Sequence, residues 1–329
     1  MQSGVKIVGT GRYVPDRILT NHDLENMVDT SDEWIKTRTG ICQRYIASDE
    51  QATSDLAAGA ALKALEAADL QPDEVDLIIV ATITPDKIFP NTACFVQAKI
   101  GASNATCFSV EAACSGFTYM MEIASSMIGS GLYKNALIIG AEKLSSMVNW
   151  NDRTTCVLFG DGAGAAVLKA CPLEESCFIA STLGADGRHT EILHTPAGGS
   201  RIPVTEDVLK QNLNTLHMSG QEVFKLAVTR MGAAAVDTLE KAGVTVEKVR
   251  WLIPHQANTR IINSIGKRVG IDPDQVYINV DRYGNTSAAS IPIALDELVR
   301  DGKVAKGDYL LFVAFGGGLT WGANLIRWS

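Results

Sequence analysis

The chain has 329 residues, of which 46% are hydrophobic and 20% charged, with a formal net charge of −8. That describes an ordinary globular protein with a substantial core and room for two domains or one duplicated unit. The acidic balance argues against non-specific nucleic-acid binding, no apolar run approaches the roughly 18 residues of a membrane helix, and the N-terminus lacks a signal-peptide pattern.

The elements follow a repeat. A helix through Leu65-Glu66-Ala67-Ala68, a turn, and an apolar strand opened by Val75 recur as Leu239-Glu240-Lys241-Ala242 and Val249. Leu65 to Leu239 and Val75 to Val249 are both 174 residues. Next come Gly101 and a strand over Cys107–Val110, matched by Gly270 and a strand over Val276–Val280. A small-residue helix follows in each half, beginning near Cys114 and near Asn285. Apolar strands Ala136–Ala141 and Tyr309–Ala314 then correspond. A repeat of this size predicts a duplicated α/β unit with sheet covered by helices, divided at 1–175 and 176–329.

Seven cysteines (42, 94, 107, 114, 156, 171, 177) are odd in number, without a Cys-x-x-Cys pair. The pattern predicts reduced thiols in the cytoplasm, with no disulfide framework and no metal site. Between the halves, Gly160-Asp161-Gly162-Ala163-Gly164 lacks the Lys-Ser/Thr of a phosphate loop. Close backbone packing ahead of a strand is the expected role of these glycines.

Three segments carry chemistry. Cys114 stands in Ala-Ala-Cys-Ser-Gly-Phe at an expected helix start, where peptide dipoles lower a thiol pKa and amides can hold an oxyanion. His255 follows an apolar strand in Pro-His-Gln-Ala-Asn. Asn285 lies in Tyr-Gly-Asn-Thr-Ser; a carboxamide exchanges hydrogen bonds but abstracts no proton. A thiol nucleophile with an imidazole and an amide suits a Claisen-type condensation in which decarboxylation supplies the carbanion. The other histidines (22, 189, 194, 217) are expected to be bystanders. Three glycines in Phe315-Gly316-Gly317-Gly318 follow the last apolar strand and let an amide approach a thioester carbonyl.

On these segments, together with Gly9-Thr10-Gly11-Arg12-Tyr13-Val14-Pro15 and Thr30-Ser31-Asp32-Glu33-Trp34, the chain resembles the β-ketoacyl-acyl-carrier-protein synthase III family along essentially its whole length. The resemblance implies a five-layered α-β-α-β-α thiolase-like fold and a homodimer. It also implies condensation of an acyl-coenzyme A primer with malonyl-acyl carrier protein, with no cofactor beyond the thioester substrate. Cys114 would carry the acyl group, His255 and Asn285 would hold the enolate, and the amides of Cys114 and Gly317 would form the oxyanion hole. Trp34 and Arg153 resemble the pair that sandwiches adenine, and Thr30, Arg38, Gly220, Phe224, Ala257 and Asn258 match the rest of the coenzyme channel. Phe89 matches a residue reaching the neighbouring subunit's acyl pocket. Lys225, Gln256, Arg260, Lys267 and Arg268 match the surface that meets the acidic carrier.

Related families differ at these positions. Elongating ketosynthases pair two histidines, thiolases use a second cysteine, and hydroxymethylglutaryl synthases use a glutamate that Glu111 does not match. A specialised-pathway ketosynthase with an unusual primer is the alternative reading. A chain-length partner subunit would lack the nucleophile, and a thioesterase would need neither Asn285 nor the basic residues.

Overall fold

The computed structural model describes residues 2–329, and in it the sequence repeat returns as a repeat of whole elements. The first half runs β1 (Gly4–Tyr13), β2 (Arg17–Thr20), α1 (Asn21–Glu25), α2 (Asp32–Thr39), β3 (Gln43–Ile46) and α3 (Thr53–Ala67). It continues through β4 (Leu77–Ala81), α4 (Thr92–Ile100), β5 (Thr106–Val110), α5 (Gly116–Gly129), β6 (Asn135–Glu142) and β7 (Gly162–Cys171). The second half opens with β8 (Phe178–Ala185), β9 (Leu193–His194), α6 (Glu206–Lys210), β10 (His217–Met218) and α7 (Gly220–Ala242). It closes with β11 (Val249–Pro254), α8 (Thr259–Val269), α9 (Val280–Tyr283), α10 (Ser290–Arg300), β12 (Tyr309–Gly316) and β13 (Thr320–Arg327).

One sheet has the order β1-β7-β6-β4-β5, the other β11-β12-β13-β8. The repeat pairs β1 with β8, β7 with β13, β6 with β12 and β4 with β11, so the two orders are the same. The starts of β1 and β8, and of β6 and β12, are again 174 residues apart. The partner of β5 departs from expectation: the strand anticipated over Val276–Val280 is a single bridge from Val276 to Leu252, followed by the short α9. The Gln256 side chain is the cause. Its Nε2 donates to Tyr277 O (3.1 Å), and its Oε1 accepts from the N–H groups of Asn279 (2.9 Å) and Val280 (3.2 Å). Those are backbone groups that a longer strand would have turned to a neighbour.

Each sheet is covered on both faces, which is why its strands read as continuous apolar runs. In β4, Ile78 and Val80 pack with α3 and α4, while Leu77, Ile79 and Ala81 face the middle of the molecule. In β12, Leu311 and Val313 pack with α7 and α8, while Leu310, Phe312 and Ala314 face inward. The shared middle layer is α5 and α10, whose Phe117, Met120, Ile128, Ile291, Leu295 and Leu298 are fully enclosed. The layers therefore alternate α-β-α-β-α, as expected. Helices in that position must be apolar all round. The acidic exceptions on α10 are matched: Asp296 by Arg12 (2.6 Å) and Arg300 (2.9 Å), and Glu297 by Arg282 (2.6 Å).

The glycines of the Gly160–Gly164 run serve this packing. A β-carbon on Gly164 would lie 2.6 Å from the backbone N of Ile293, and one on Gly160 would lie 2.4 Å from Tyr283 O. No phosphate loop is involved; the run lets β7 approach α10 closely.

Candidate active site

The middle helices begin in matching turns. A one-turn 3-10 segment, Ala113–Ser115, precedes α5, and another, Ser287–Ala289, precedes α10, again 174 residues on. Ala113 has φ 45° and Ser287 φ 49°, left-handed values that cost a residue with a β-carbon on the order of 1 kcal/mol. Cys114 lies in the first turn, and Asn285 lies two residues before the second.

Cys114 is 8% exposed, and burial pushes its thiol up to about 12. The sequence expectation was the opposite, a thiol lowered by helix dipoles. The helix proper starts only at Gly116, and desolvation of the charged form outweighs what the turn supplies. The resting thiol is therefore neutral, and a reaction through its sulfur would require the proton to be removed. Its amide is kept open by Gly316, where a β-carbon would lie 2.6 Å from Cys114 N. Gly317 and Gly318 line the same cavity.

His255 directly follows β11, and its N–H donates to Val313 O at 2.8 Å. The ring is 3% exposed, and burial pushes its pKa down to about 4, so it rests neutral. Nδ1 lies 2.7 Å from Ser290 Oγ. Asn285 is clamped by its backbone: its N–H donates to Leu158 O (2.8 Å) and its carbonyl accepts from Gly160 N–H (3.0 Å). Its Oδ1 accepts from Ser287 N–H at 2.9 Å. That orientation leaves the Nδ2 hydrogens for the cavity, so Asn285 is presented as a donor.

One cavity of about 1280 Å³ joins Cys114, His255 and Asn285 to Trp34, Arg38 and Arg260. It exceeds the roughly 300–1,000 Å³ typical of small-ligand pockets. Of the channel residues expected from sequence, Gly220, Phe224, Ala257 and Asn258 also line it. Asn258 additionally caps α8, accepting from Ile261 N–H at 2.9 Å. Arg153 sits over the Trp34 ring, 5.4 Å from its centroid, and donates to Asp29 O at 2.7 Å. Thr30 lies off the lining with its hydroxyl oxygen buried and unpartnered. Phe89 and Ile88 are 86% and 89% exposed.

Arg260 lines the cavity and packs over the Phe224 ring. Lys225, Lys267 and Arg268 are exposed outside it. None of these four cations forms an ion pair among the described residues. Gln256 does not belong with them. It is 1% exposed, and its amide is engaged internally by the backbone around Tyr277–Val280, so it meets nothing at the surface.

Several residues near the site carried no sequence signal. Ser287 lines the cavity, and Ser290 touches His255, yet both read as ordinary helix-start serines. Glu142, fully buried, accepts from the hydroxyls of Thr82 (3.0 Å) and Thr84 (2.8 Å), while burial raises its carboxyl to about 7. His194, expected to be a bystander, lines the cavity. Among the described residues, no His, Cys, Asp and Glu cluster could hold a metal ion, and no helix is long and apolar enough to cross a membrane.

Residues 108–187 match the family described as 3-oxoacyl-(acyl-carrier-protein) synthase III, and residues 239–328 match its C-terminal part. The chain is 57% identical to the β-ketoacyl-(acyl-carrier-protein) synthase III of Caldanaerobacter subterraneus over 98% of this chain and 97% of that protein. It is 50% identical to that of Clostridioides difficile over the full length of both. The crystal structure of the Aquifex aeolicus enzyme superimposes with a TM-score of 0.91 at 51% identity, covering 99% of this chain and 100% of that one.

The neutral resting thiol has a direct consequence for reactivity. Carboxamidomethylation of Cys114, followed by peptide mass spectrometry, is expected to accelerate continuously as pH rises from about 6 to about 10. A plateau below about pH 8 would mean that the resting site already stabilises a thiolate.

Proposed function

The chain belongs to the 3-oxoacyl-(acyl-carrier-protein) synthase III family, and on that premise we propose how its residues divide the work of the reaction. The enzyme is an acyltransferase of the ketosynthase type. It condenses an acyl-coenzyme A primer with malonyl-acyl carrier protein, initiating fatty acid synthesis. The observation that carries the residue roles is the single cavity that joins a buried thiol, imidazole and carboxamide to a cationic, aromatic mouth. Residues 1–175 are taken as the half supplying the thiol, and 176–329 as the half supplying the other two groups.

In the first half-reaction the Cys114 sulfur attacks the acyl carbon, and the proton it gives up ends on the departing coenzyme A sulfur. The tetrahedral oxyanion forms against the amides of Cys114 and Gly317. Coenzyme A departs as a thiol. His255 stays neutral, as its burial favours. In the second half-reaction, the malonyl group loses carbon dioxide, and its C–C bond electrons become the enolate. Nε2–H of His255 and Nδ2–H of Asn285 hold the enolate oxygen. The enolate carbon attacks the acyl carbon, the Cys114–acyl bond breaks, and the released thiolate takes up one proton from solvent water. All atoms and charges balance without a strong base, in keeping with an amide at position 285.

The coenzyme's adenine is assigned to Trp34 and Arg153. Two stacked layers at about 3.5 Å each exceed the 5.4 Å between Arg153 and the Trp34 centroid, so Arg153 swings outward to admit the base. Arg38, Gly220, Phe224, Ala257 and Asn258 line the remaining channel, while Thr30 lies off its lining. Lys225, Arg260, Lys267 and Arg268 form the docking surface for the acidic carrier, a role supported by their exposure and lack of acidic partners. Exposed Ile88 and Phe89 lie under a second copy in a cytoplasmic homodimer, with Phe89 entering the partner's acyl pocket.

Intact-protein mass spectrometry separates the two half-reactions. Cys114→Ala is expected to take up no acyl group. Asn285→Ala is expected to become acylated yet decarboxylate malonyl-carrier at least about 100-fold more slowly. Decarboxylation at the wild-type rate would remove Asn285 from its role.

Charge reversal at Lys267 (Lys267→Glu), outside the cavity, is expected to raise KM for malonyl-carrier about tenfold while leaving the rate of acylation unchanged. An unaltered KM would return Lys267 to the status of a solvated helix residue. Sedimentation velocity is expected to give twice the chain mass of 35.2 kDa for the wild type and a single-chain mass for Phe89→Asp. A monomeric wild type would refute the dimer.

A further inference from the structure

We propose that Glu142 is the proton acceptor that serves Cys114 through the hydroxyl of Ser287, so that thiol, hydroxyl and carboxyl form a buried relay. The proposal rests on the reading of Cys114 as the carrier of the acyl group. Glu142 ends β6. It shares a strand face with Ala136, Ile138 and Gly140, because side chains alternate along a strand, and Ala136 and Ile138 face the middle layer. Gly140 presses on the turn before α10: a β-carbon there would lie 2.6 Å from the carbonyl carbon of Ala288. Glu142, two residues on, is aimed at the same turn, where Ser287 stands.

The two carboxyl oxygens differ. Oε2 accepts from the hydroxyls of Thr82 (3.0 Å) and Thr84 (2.8 Å) and from the N–H of Ile83 (3.1 Å). Oε1 has only a longer approach from that same N–H, at 3.3 Å, and so is open to a proton. The Ser287 hydroxyl is buried and has no hydrogen-bond partner, although it lies next to both the Cys114 thiol and the Glu142 carboxyl. It thus stands between a group with a proton to lose and a group with room for one. Neighbouring charges are engaged elsewhere. Lys143 gives its ammonium to the carbonyls of Ser48 (2.8 Å) and Gln51 (2.7 Å), and Asp161 accepts from the N–H groups of Ser145 and Ala47. Glu111, which also acts on Cys114, accepts from Ala113 N–H at 3.0 Å.

Burial raises the Glu142 carboxyl to about 7 and the Cys114 thiol to about 12. Between those values the pair holds one proton, nearly always on sulfur. The minor form, a thiolate beside a carboxylic acid, keeps a constant share across that range, since moving a proton within the pair neither binds nor releases one. In that form sulfur attacks the acyl carbon. The carboxylic acid then returns its proton through Ser287 to the departing coenzyme A sulfur, which is more basic because an ordinary thiol titrates at about 8.5. One S–H bond breaks, another forms, and Glu142 ends as the carboxylate it was.

The test compares two reactions of Cys114 in the full-length enzyme from about pH 6 to about pH 9. Acylation by saturating acetyl-coenzyme A is followed in a single turnover by intact-protein mass spectrometry. Carboxamidomethylation, which needs no proton returned to a leaving sulfur, follows total thiolate. Wild-type acylation is expected to rise to about pH 7 and then level, while carboxamidomethylation keeps climbing. Glu142→Gln is expected to slow acylation about 100-fold at about pH 8, at unchanged KM for acetyl-coenzyme A, and to abolish the level region. Ser287→Gly, which suits the left-handed backbone at φ 49° and removes the hydroxyl, is expected to do the same. Wild-type acylation that climbs in parallel with carboxamidomethylation overturns the proposal, and so does a wild-type rate in Glu142→Gln. The wild-type profile decides even if Glu142→Gln does not fold. Uptake of acyl groups by Cys114→Ala would instead overturn the underlying reading of Cys114 and this proposal together.

Discussion

Two helices enclosed between two sheets have to begin where water does not reach, and this molecule is organised around those two beginnings. The first amides of a helix have no partner within the helix, and burying them unmatched is costly. Here both helices start through a 3-10 turn entered by a left-handed residue, Ala113 in one half and Ser287 in the other. Glycine at 316 then lets β12 close over Cys114 without covering its amide. The same geometry that makes the helix starts awkward to bury makes them suited to receiving a carbonyl oxygen.

Burial also sets the charge state of the resting site. Desolvation raises the Cys114 thiol and lowers the His255 imidazole, so both groups are neutral before substrate arrives. A permanently ionised pair would need compensation that the apolar middle layer does not offer. In the proposed reaction charge appears only as bonds change, and between fixed partners: the amide of Cys114, the carboxamide of Asn285, and a ring anchored through Nδ1 to Ser290. Preorganisation of this kind stabilises developing charge with little rearrangement. Asn285 owes its aim to contacts far from it in sequence, with Leu158 and Gly160 gripping its backbone.

The cavity changes character along its length. Its inner end is built from β-strand ends and helix starts, which hold side chains rigidly. Its outer end is built from α2, α7 and α8, which carry Trp34, Phe224 and Arg260 on their surfaces. A long, flexible, anionic thioester suits such a gradient. Its charged portion meets cations in high dielectric, and its reacting carbon enters a site from which water is excluded.

The fold was legible in the sequence because duplication leaves a trace that local physics preserves. An apolar strand covered on both faces must stay apolar, so Leu77–Ala81 and Val249–Pro254 remain recognisable as copies. That a thiol, an imidazole and a carboxamide would share one cavity was legible too, because small residues crowd each of them where backbones pass closely. Three things were not. The missing fifth strand depends on where the Gln256 amide points, and a polar residue among basic neighbours reads as surface although folding buries it. The raised thiol depends on how completely Cys114 is enclosed. The anchoring of the His255 ring depends on Ser290, 35 residues away. Residue type and spacing determine which groups are available and which elements carry them. Protonation, hydrogen-bond direction and exposure are sums over neighbours from distant parts of the chain, and only folding decides those neighbours.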